Sequence, residues 1–285
     1  LTPSLMTINR GGSWLLLTPP CLNARFPLYR TVKAPFDSSS AHKSAAISSM
    51  SSKWASGGLS NLEYLMLINE AAGRYFGDDK YAPVIPWVTN FVDWGWRDLT
   101  KSKFRLKKGD AQLQTTYVNG MPPHHIPENL TDLTYYVYMA RKTPKSVLTS
   151  VVRSQFRAQE YPNSMAGLYE WSPDECIVEF FTDSNIFKSD HSDMPDLAWP
   201  KDVSSSVEFI KVHREMLESD YVSAALHHWI DLNFGYKLSG EAAVDAMNVP
   251  LVPLFPELSL VHGPRFVQLF DKPHPRRLAL SPPAK

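Results

Sequence analysis

Apolar positions recur with a helical period over much of the chain beyond residue 54, and capping residues mark where the helices begin. Ser60-Asn61-Leu62-Glu63 reads as a capping box, with Ser60 as N-cap and Glu63 at the third helical position. Leu62, Leu65, Met66 and Ile68 follow, largely at helical spacing, and Gly73 supplies the stop. Leu133, Val137 and Ala140 predict an amphipathic helix over 131–141, while the Val-rich stretch 146–156 suits a helix or a strand. Ser172-Pro173-Asp174-Glu175 reads as another capping box, with Pro at the first helical position, where its missing N–H costs nothing. Ser205 and Glu208 predict a further start, for a helix reaching about Glu218. The next runs from Asp220 to Phe234 and ends at Gly235, expected in a positive-φ conformation, and a short one spans Gly240 to Met247.

Between these elements the signals change. Pro83 and Pro86 impose an extended path, Pro250, Pro253 and Pro256 exclude regular helix, and the stretch 94–121 keeps no single period. Pro19-Pro20, Ser38-Ser39-Ser40 and Ser48-Ser49 break up residues 1–50, which predicts a poorly ordered leader or linker, and residues 279–285 form a Pro-containing tail. The expected fold is mainly α, a helical core threaded by long extended irregular segments, with 23 prolines accounting for the extended pieces.

Composition narrows the function classes. Hydrophobic residues make up 44% of the 285 and aromatics 12%, enough for a sizeable core. Lys plus Arg and Asp plus Glu each number 29, so the basic excess that a nucleic-acid binder uses against phosphates is absent. Cys21 and Cys176 are too isolated for a zinc site or a disulfide framework and fit a reducing compartment. Asn129-Leu130-Thr131 matches a glycosylation sequon and is read as chance. No apolar run approaches the roughly 20 residues of a spanning helix, which leaves peripheral membrane association as the open route.

Catalytic signatures are missing: there is no Gly-rich phosphate loop, G-x-S-x-G elbow, H-E-x-x-H or C-x-x-C. His227 and Asp231, four apart on one helix face, could with His213 hold a metal and make a metal-dependent enzyme; the simpler reading is a His–Asp hydrogen bond that positions the helix. Asp174, Glu175 and Glu179 form a carboxylate cluster, in which Asp174 and Glu175 are read as favouring a helix dipole in its first turn rather than as an acid/base pair. Lys101, Lys103, Arg105 and Lys107 alternate with Ser102, Phe104 and Leu106, and on a strand all would share one face, fit for anionic lipid or an acidic partner. The carboxylate-rich stretch 170–196 could instead neutralise them.

Several strings resemble one family. Trp54, then Ser60-Asn61-Leu62-Glu63-Tyr64-Leu65-Met66 through Ala72-Gly73-Arg74, looks like the opening motif of BEACH domains, and Pro86-Trp87 and Arg97-Asp98-Leu99 look like its next landmarks. Glu218-Ser219-Asp220-Tyr221-Val222-Ser223, Leu226-His227-His228-Trp229-Ile230-Asp231-Leu232 and Phe234-Gly235-Tyr236-Lys237 match the family's most specific block, and Gln268-Leu269-Phe270-Asp271-Lys272-Pro273-His274-Pro275 its closing one. The resemblance covers residues 51–278. The family's aromatic-Gly-rich middle motif is replaced here by Pro122-Pro123-His124-His125-Ile126-Pro127.

The resemblance implies a helical core threaded by irregular segments, no catalytic residues and no cofactor. It also implies a cytoplasmic parent with WD repeats, peripheral on endosomes, lysosomes or autophagosomes. That parent would be a scaffold in endosome maturation, phosphatidylinositol 3-kinase restraint and autophagic aggregate clearance. Its expected partners are endosomal and autophagy regulators, ubiquitin-like autophagy modifiers and phosphatidylinositol 3-kinase complex subunits. Arg74, Trp87, Trp229, Asp231 and Gly235 then read as structural core, with Trp87 and Trp229 as anchors that each have one N–H to satisfy. Ubiquitin-like modifiers take an aromatic and an aliphatic side chain three residues on, while the peptide backbone pairs with a sheet edge. Trp96/Leu99, with Asp93 before it and Asp98 within it, ranks first for this role and Phe255/Leu258 second, while the simpler reading has Trp96 and Leu99 packing under the Arg97-Asp98-Leu99 landmark.

Overall fold

The structure, a computed structural model, describes residues 40–251 and 266–278, with side chains from residue 45 onward. Phe255, Leu258 and most of the expected leader, residues 1–39, lie outside the described residues. The remainder of the leader is not irregular. Helix α1 spans Ser40–Ala55, and Trp54 from its last turn is fully buried, with Ile47 and Ser51 beneath it on the same face. This helix is rich in Ser and Ala, so its few apolar residues, three or four apart, gave little periodic signal.

Helix α2, Asn61–Ala71, carries the predicted capping box: Ser60 Oγ accepts from Glu63 N, and the Glu63 carboxylate accepts from Ser60 N at 2.8 Å. It ends as predicted at Gly73, φ +80°, with Gly73 N donating to Glu70 O and Arg74 N to Asn69 O. The chain then runs extended. Strand β1, Val84–Ile85, pairs antiparallel with β2, Cys176–Ile177, in the register Val84 to Ile177 and Ile85 to Cys176.

Short helices fill the middle: α3 (Lys103–Lys108), α4 (Asp110–Asn119), α5 (Asp132–Tyr138, capped by Thr131) and α6 (Lys145–Val151), then α7 (Met165–Trp171) and α8 (Glu179–Thr182). The expected helix at Ser172 does not form. Ser172 Oγ accepts from Asp174 N and closes a local turn, while Asp174 and Glu175 are taken up by distant buried partners. Helices α9 (Ser206–Glu218) and α10 (Asp220–Asn233) follow, capped by Ser205 and Ser219, and α11 spans Gly240–Asp245. At the start of α9 the Glu208 carboxylate turns to Ser204 rather than back to the cap residue.

Gly235 departs from expectation. Its φ is −116°, so no left-handed turn ends α10. A Cβ there would lie 2.6 Å from Asp231 Cα, and this close approach of two backbone segments is what requires glycine. The core is strongly aromatic. Trp87, fully buried, meets the rings of Phe91, Tyr138, Tyr169 and Phe180 with centroids 5.6–5.9 Å away. Trp229 is fully buried too, and its indole N–H has no partner among the described residues.

Candidate functional site

Asn61 is a joint between the helices and the C-terminal segment. Its Oδ1 accepts from Trp54 Nε1 and from Arg277 Nη1, each at 2.8 Å, and its Nδ2 donates to Leu217 O at 2.7 Å. From the end of α9, the Glu218 carboxylate accepts from Asn61 N and Leu62 N, so one helix caps the next. His274 N donates to Asp231 Oδ1 at 2.8 Å, and the His274 ring meets Tyr64 OH at 2.5 Å. Asp231 is therefore spent on the closing segment; burial raises its pKa to about 6.

The expected His227–Asp231 hydrogen bond is absent: neither ring nitrogen of His227 has a partner among the described residues. His213 lies elsewhere, stacked on Phe181 at 3.9 Å, with Nδ1 donating to Phe180 O at 2.9 Å. Burial pushes its pKa down to about 3. Among the described residues no group of His, Cys, Asp and Glu is arranged to hold a metal.

The basic strip is also reorganised. Ser102 Oγ accepts from Arg105 N and starts helix α3, so residues two apart turn away from one another. Lys103 points inward. Its Nζ donates to Tyr169 O at 2.7 Å and Ser172 O at 2.9 Å and sits 4.1 Å over the Tyr169 ring. Burial, reinforced by Arg97, lowers its pKa to about 8. Arg105 pairs with Asp110, Lys107 with Glu170, and Lys101 sits 3.8 Å from Asp98. No shared cationic face remains, and Lys107 is answered from the acidic stretch, as the sequence allowed.

Beside Lys103 lies a buried ion pair. Arg97 holds both oxygens of Glu175, through Nη2 to Oε1 at 2.7 Å and Nη1 to Oε2. Asp174 Oδ2 accepts from Thr131 N and Oγ1, and its backbone O accepts from Trp87 Nε1 at 3.1 Å. Arg74 donates to Ala82 O and Asn129 Oδ1, and Asn129 to Asn233 Oδ1. The Asn129 side chain of the sequon is thus buried and in use. This network places no nucleophile or acid/base pair at an open cleft.

The exposed features are different in kind. Trp96 pairs with Thr89 across a tight loop and stacks on Tyr221 of α10, centroids 4.6 Å apart, with 42% and 52% of the two residues exposed. Leu99 is 2% exposed and packed in the core, so Trp96 and Leu99 do not offer two side chains to one partner. Sequence reasoning missed Tyr221, whose signal was an aromatic in the first turn of a capped helix.

Helical core, threaded extended segments and motif residues joined from both ends of the chain meet one family description. The family model for the Beige/BEACH domain matches residues 52–277. The chain belongs to the BEACH family. Over 247 residues this BEACH domain is 52% identical to WD repeat-containing protein 81 of Homo sapiens, covering 80% of the chain and 13% of that protein. It is 50% identical to Protein GFS12 of Arabidopsis thaliana (80% and 14%) and 44% identical to Suppressor of organelle fusion 2 of Caenorhabditis elegans (81% and 17%). The BEACH domain therefore spans only a small part of the length of these relatives. Among its described residues no helix is long and apolar enough to cross a membrane.

Proposed function

We propose that this BEACH domain is a non-catalytic protein-interaction module of the machinery that governs organelle and endosomal trafficking. The observation that carries the reading is the split between inside and outside. The charged groups that the fold buries at the motif positions are consumed by internal partners, while an aromatic pair, Trp96 and Tyr221 of the first turn of α10, stays open. Rigid exposed aromatics are typical anchors of protein interfaces. The names of the relatives, one a suppressor of organelle fusion, support the setting.

The finer expectation is endosome maturation, restraint of phosphatidylinositol 3-kinase and autophagic clearance, with kinase-complex subunits and ubiquitin-like modifiers as partners. Lipid binding through Lys101, Lys103, Arg105 and Lys107 is not favoured, because those cations are paired or inward-facing. The test is calorimetric titration of the purified chain with purified kinase-complex subunits and ubiquitin-like modifiers. Saturable binding that Trp96→Ala/Tyr221→Ala weakens at an unchanged melting temperature supports the reading. Binding indifferent to both rings, or none to any of these proteins, counts against it.

A further inference from the structure

Helix α10 turns one face outward from its start to His228. Tyr221 and Ala224 are exposed and His228 is half-buried, at the spacing of a single helix face. Trp96 stacks on Tyr221 at one end. At the other, His228 lies against the His227 ring, centroids 3.9 Å apart. The closing segment crosses here, because His274 N donates to Asp231 Oδ1 at 2.8 Å, and it carries Arg276 two residues further on. Lys237 follows from the turn after α10, its Nζ 5.8 Å from the centroid of the Tyr236 ring. Burial first, then the charges of Lys237 and Arg276, lower the pKa of His228, while Asp98 opposes them.

Arg276 is exposed, Lys237 is half-buried, and among the described residues neither side chain has an ion pair or a hydrogen bond. Arg105 and Lys107, by contrast, each hold a carboxylate. The two acids that act on this cluster are taken: Asp231 accepts from His274 N, and Asp98 accepts from Thr100 N and sits 3.8 Å from Lys101. Accessible cations without counter-charges attract an anionic group, and their surroundings select which one. Asp98 and Asp220 are exposed beside the aromatic end, so an anionic membrane resting on this face would meet two carboxylates. A single chain segment avoids them. Tyr221 and His228 lie about 10 Å apart along the helix. About three residues of extended chain cover that span, and Ala224 in between leaves room for a backbone.

We infer that the outward face of α10 binds an acidic segment of a partner protein, with an apolar side chain on Trp96 and Tyr221 and an Asp or Glu against Lys237 and Arg276. The inference rests on the reading of this domain as a protein-interaction module and names the chemistry of its partner. The experiment follows the Trp96 indole and His228 ring resonances of the labelled full chain. The probe is a peptide that carries leucine and, three residues on, two glutamates; matching peptides carry two glutamines or two lysines there. The expected result is a saturable shift of both rings with the glutamate peptide, weaker at high salt and at least about tenfold weaker with glutamine. Arg276→Glu, at an exposed position, should weaken glutamate-peptide binding at least about tenfold with the melting temperature unchanged. Lys237→Glu/Arg276→Glu should pass the preference to the lysine peptide.

Should the double variant melt early, Arg276→Glu alone decides. An equal response to the glutamine peptide removes the role of charge and overturns the inference, as does glutamate-peptide binding that survives Arg276→Glu. A Trp96 shift with His228 unmoved confines binding to the aromatic end and also overturns it. Flotation with vesicles of phosphatidylcholine and phosphatidylserine, abolished by Arg276→Glu while the peptide shifts neither ring, assigns the cations to a membrane and overturns it too. Failure of the glutamate peptide, with partner proteins still bound through Trp96 and Tyr221, overturns the inference and leaves the module reading standing.

Discussion

Helices α9 and α10 bury Phe209, Leu217, Val222, Leu226, Trp229 and Ile230 at helical spacing, whereas the stretch 82–103 crosses the same core largely in extended form. A helix satisfies its own backbone, so its inward face can be purely apolar. An extended chain in a core has no such provision, and its carbonyls and amides must find partners elsewhere. Here side chains supply them. Asn69 both donates to Val84 O and accepts from Val84 N, Arg74 donates to Ala82 O, and Arg97 reaches Trp87 O. The buried polar residues that meet this stretch are thus the counterpart of its irregular path, and removing one should be as damaging as removing a large apolar anchor.

The strongest challenge to that equivalence is Arg97→Met, which leaves the Glu175 carboxylate buried and unpaired. It should cost about 3–5 kcal/mol, and adding Glu175→Leu should restore most of the loss. Urea unfolding of both variants measures this; a single variant within error of wild type would mean that the extended segment does not depend on its charges. On the helical side, Trp229→Ala should lose about 3–5 kcal/mol by opening a cavity. A Trp229→Ala protein with an unshifted unfolding midpoint would return this residue to the surface.

A buried carboxyl outside both regions gives the domain a pH response. Burial holds the pKa of Glu179, at the start of α8, above its ordinary 4.5, at about 7. The folded protein keeps this proton after the unfolded chain has released it, so the group's contribution makes stability fall as pH rises from about 4.5 to about 7. Glu179→Gln should remove that loss, with the difference from wild type growing across the window to about 3 kcal/mol. A constant difference in unfolding free energy at all pH values would show that the carboxyl titrates normally. The smallest effect belongs to the helix start: Ser205→Ala removes the cap bond to Glu208 N and should cost about 1 kcal/mol. An unchanged melting curve would show that tertiary packing alone holds the start of α9.

These differences explain what was legible. The capping box at Ser60, the stop at Gly73 and the spans of α9 and α10 are local signals, and each appears where its residues predicted it. Apart from the φ of Gly235, which is set by Asp231 four residues earlier, the failures named here are non-local. Ser172-Pro173-Asp174-Glu175 carries a valid helix-start pattern, but Arg97 and Thr131, far away in sequence, claim its carboxylates. The alternating cations at 101–107 carry a valid strand pattern, but Ser102 caps a helix and Lys103 finds the carbonyls of Tyr169 and Ser172 at the end of α7. Asp231 and His227 sit one turn apart, yet Asp231 is bound by a residue 43 positions away. Arg141 drew no notice because a single Arg at the end of a helix normally serves the dipole, and only the fold reveals that its charge is enclosed.

The contact of the closing segment with the first two helices has a mechanical meaning. Leu278 N donates to Ala55 O at 2.8 Å, Arg277 reaches Asn61, and His274 is gripped by Asp231 and Tyr64. The end of α1 and the start of α2 therefore lie beside the closing segment. Tension applied through the flanking chain on both sides is resisted first by that handful of hydrogen bonds, which are loaded one after another as the closing segment peels away from α1 and α2. The aromatic core around Trp87 lies outside that load path until the clasp has opened. The clasp thus fastens residues 274–278 onto residues 55–64, so that releasing the closing segment would free the first two helices before the interior is touched.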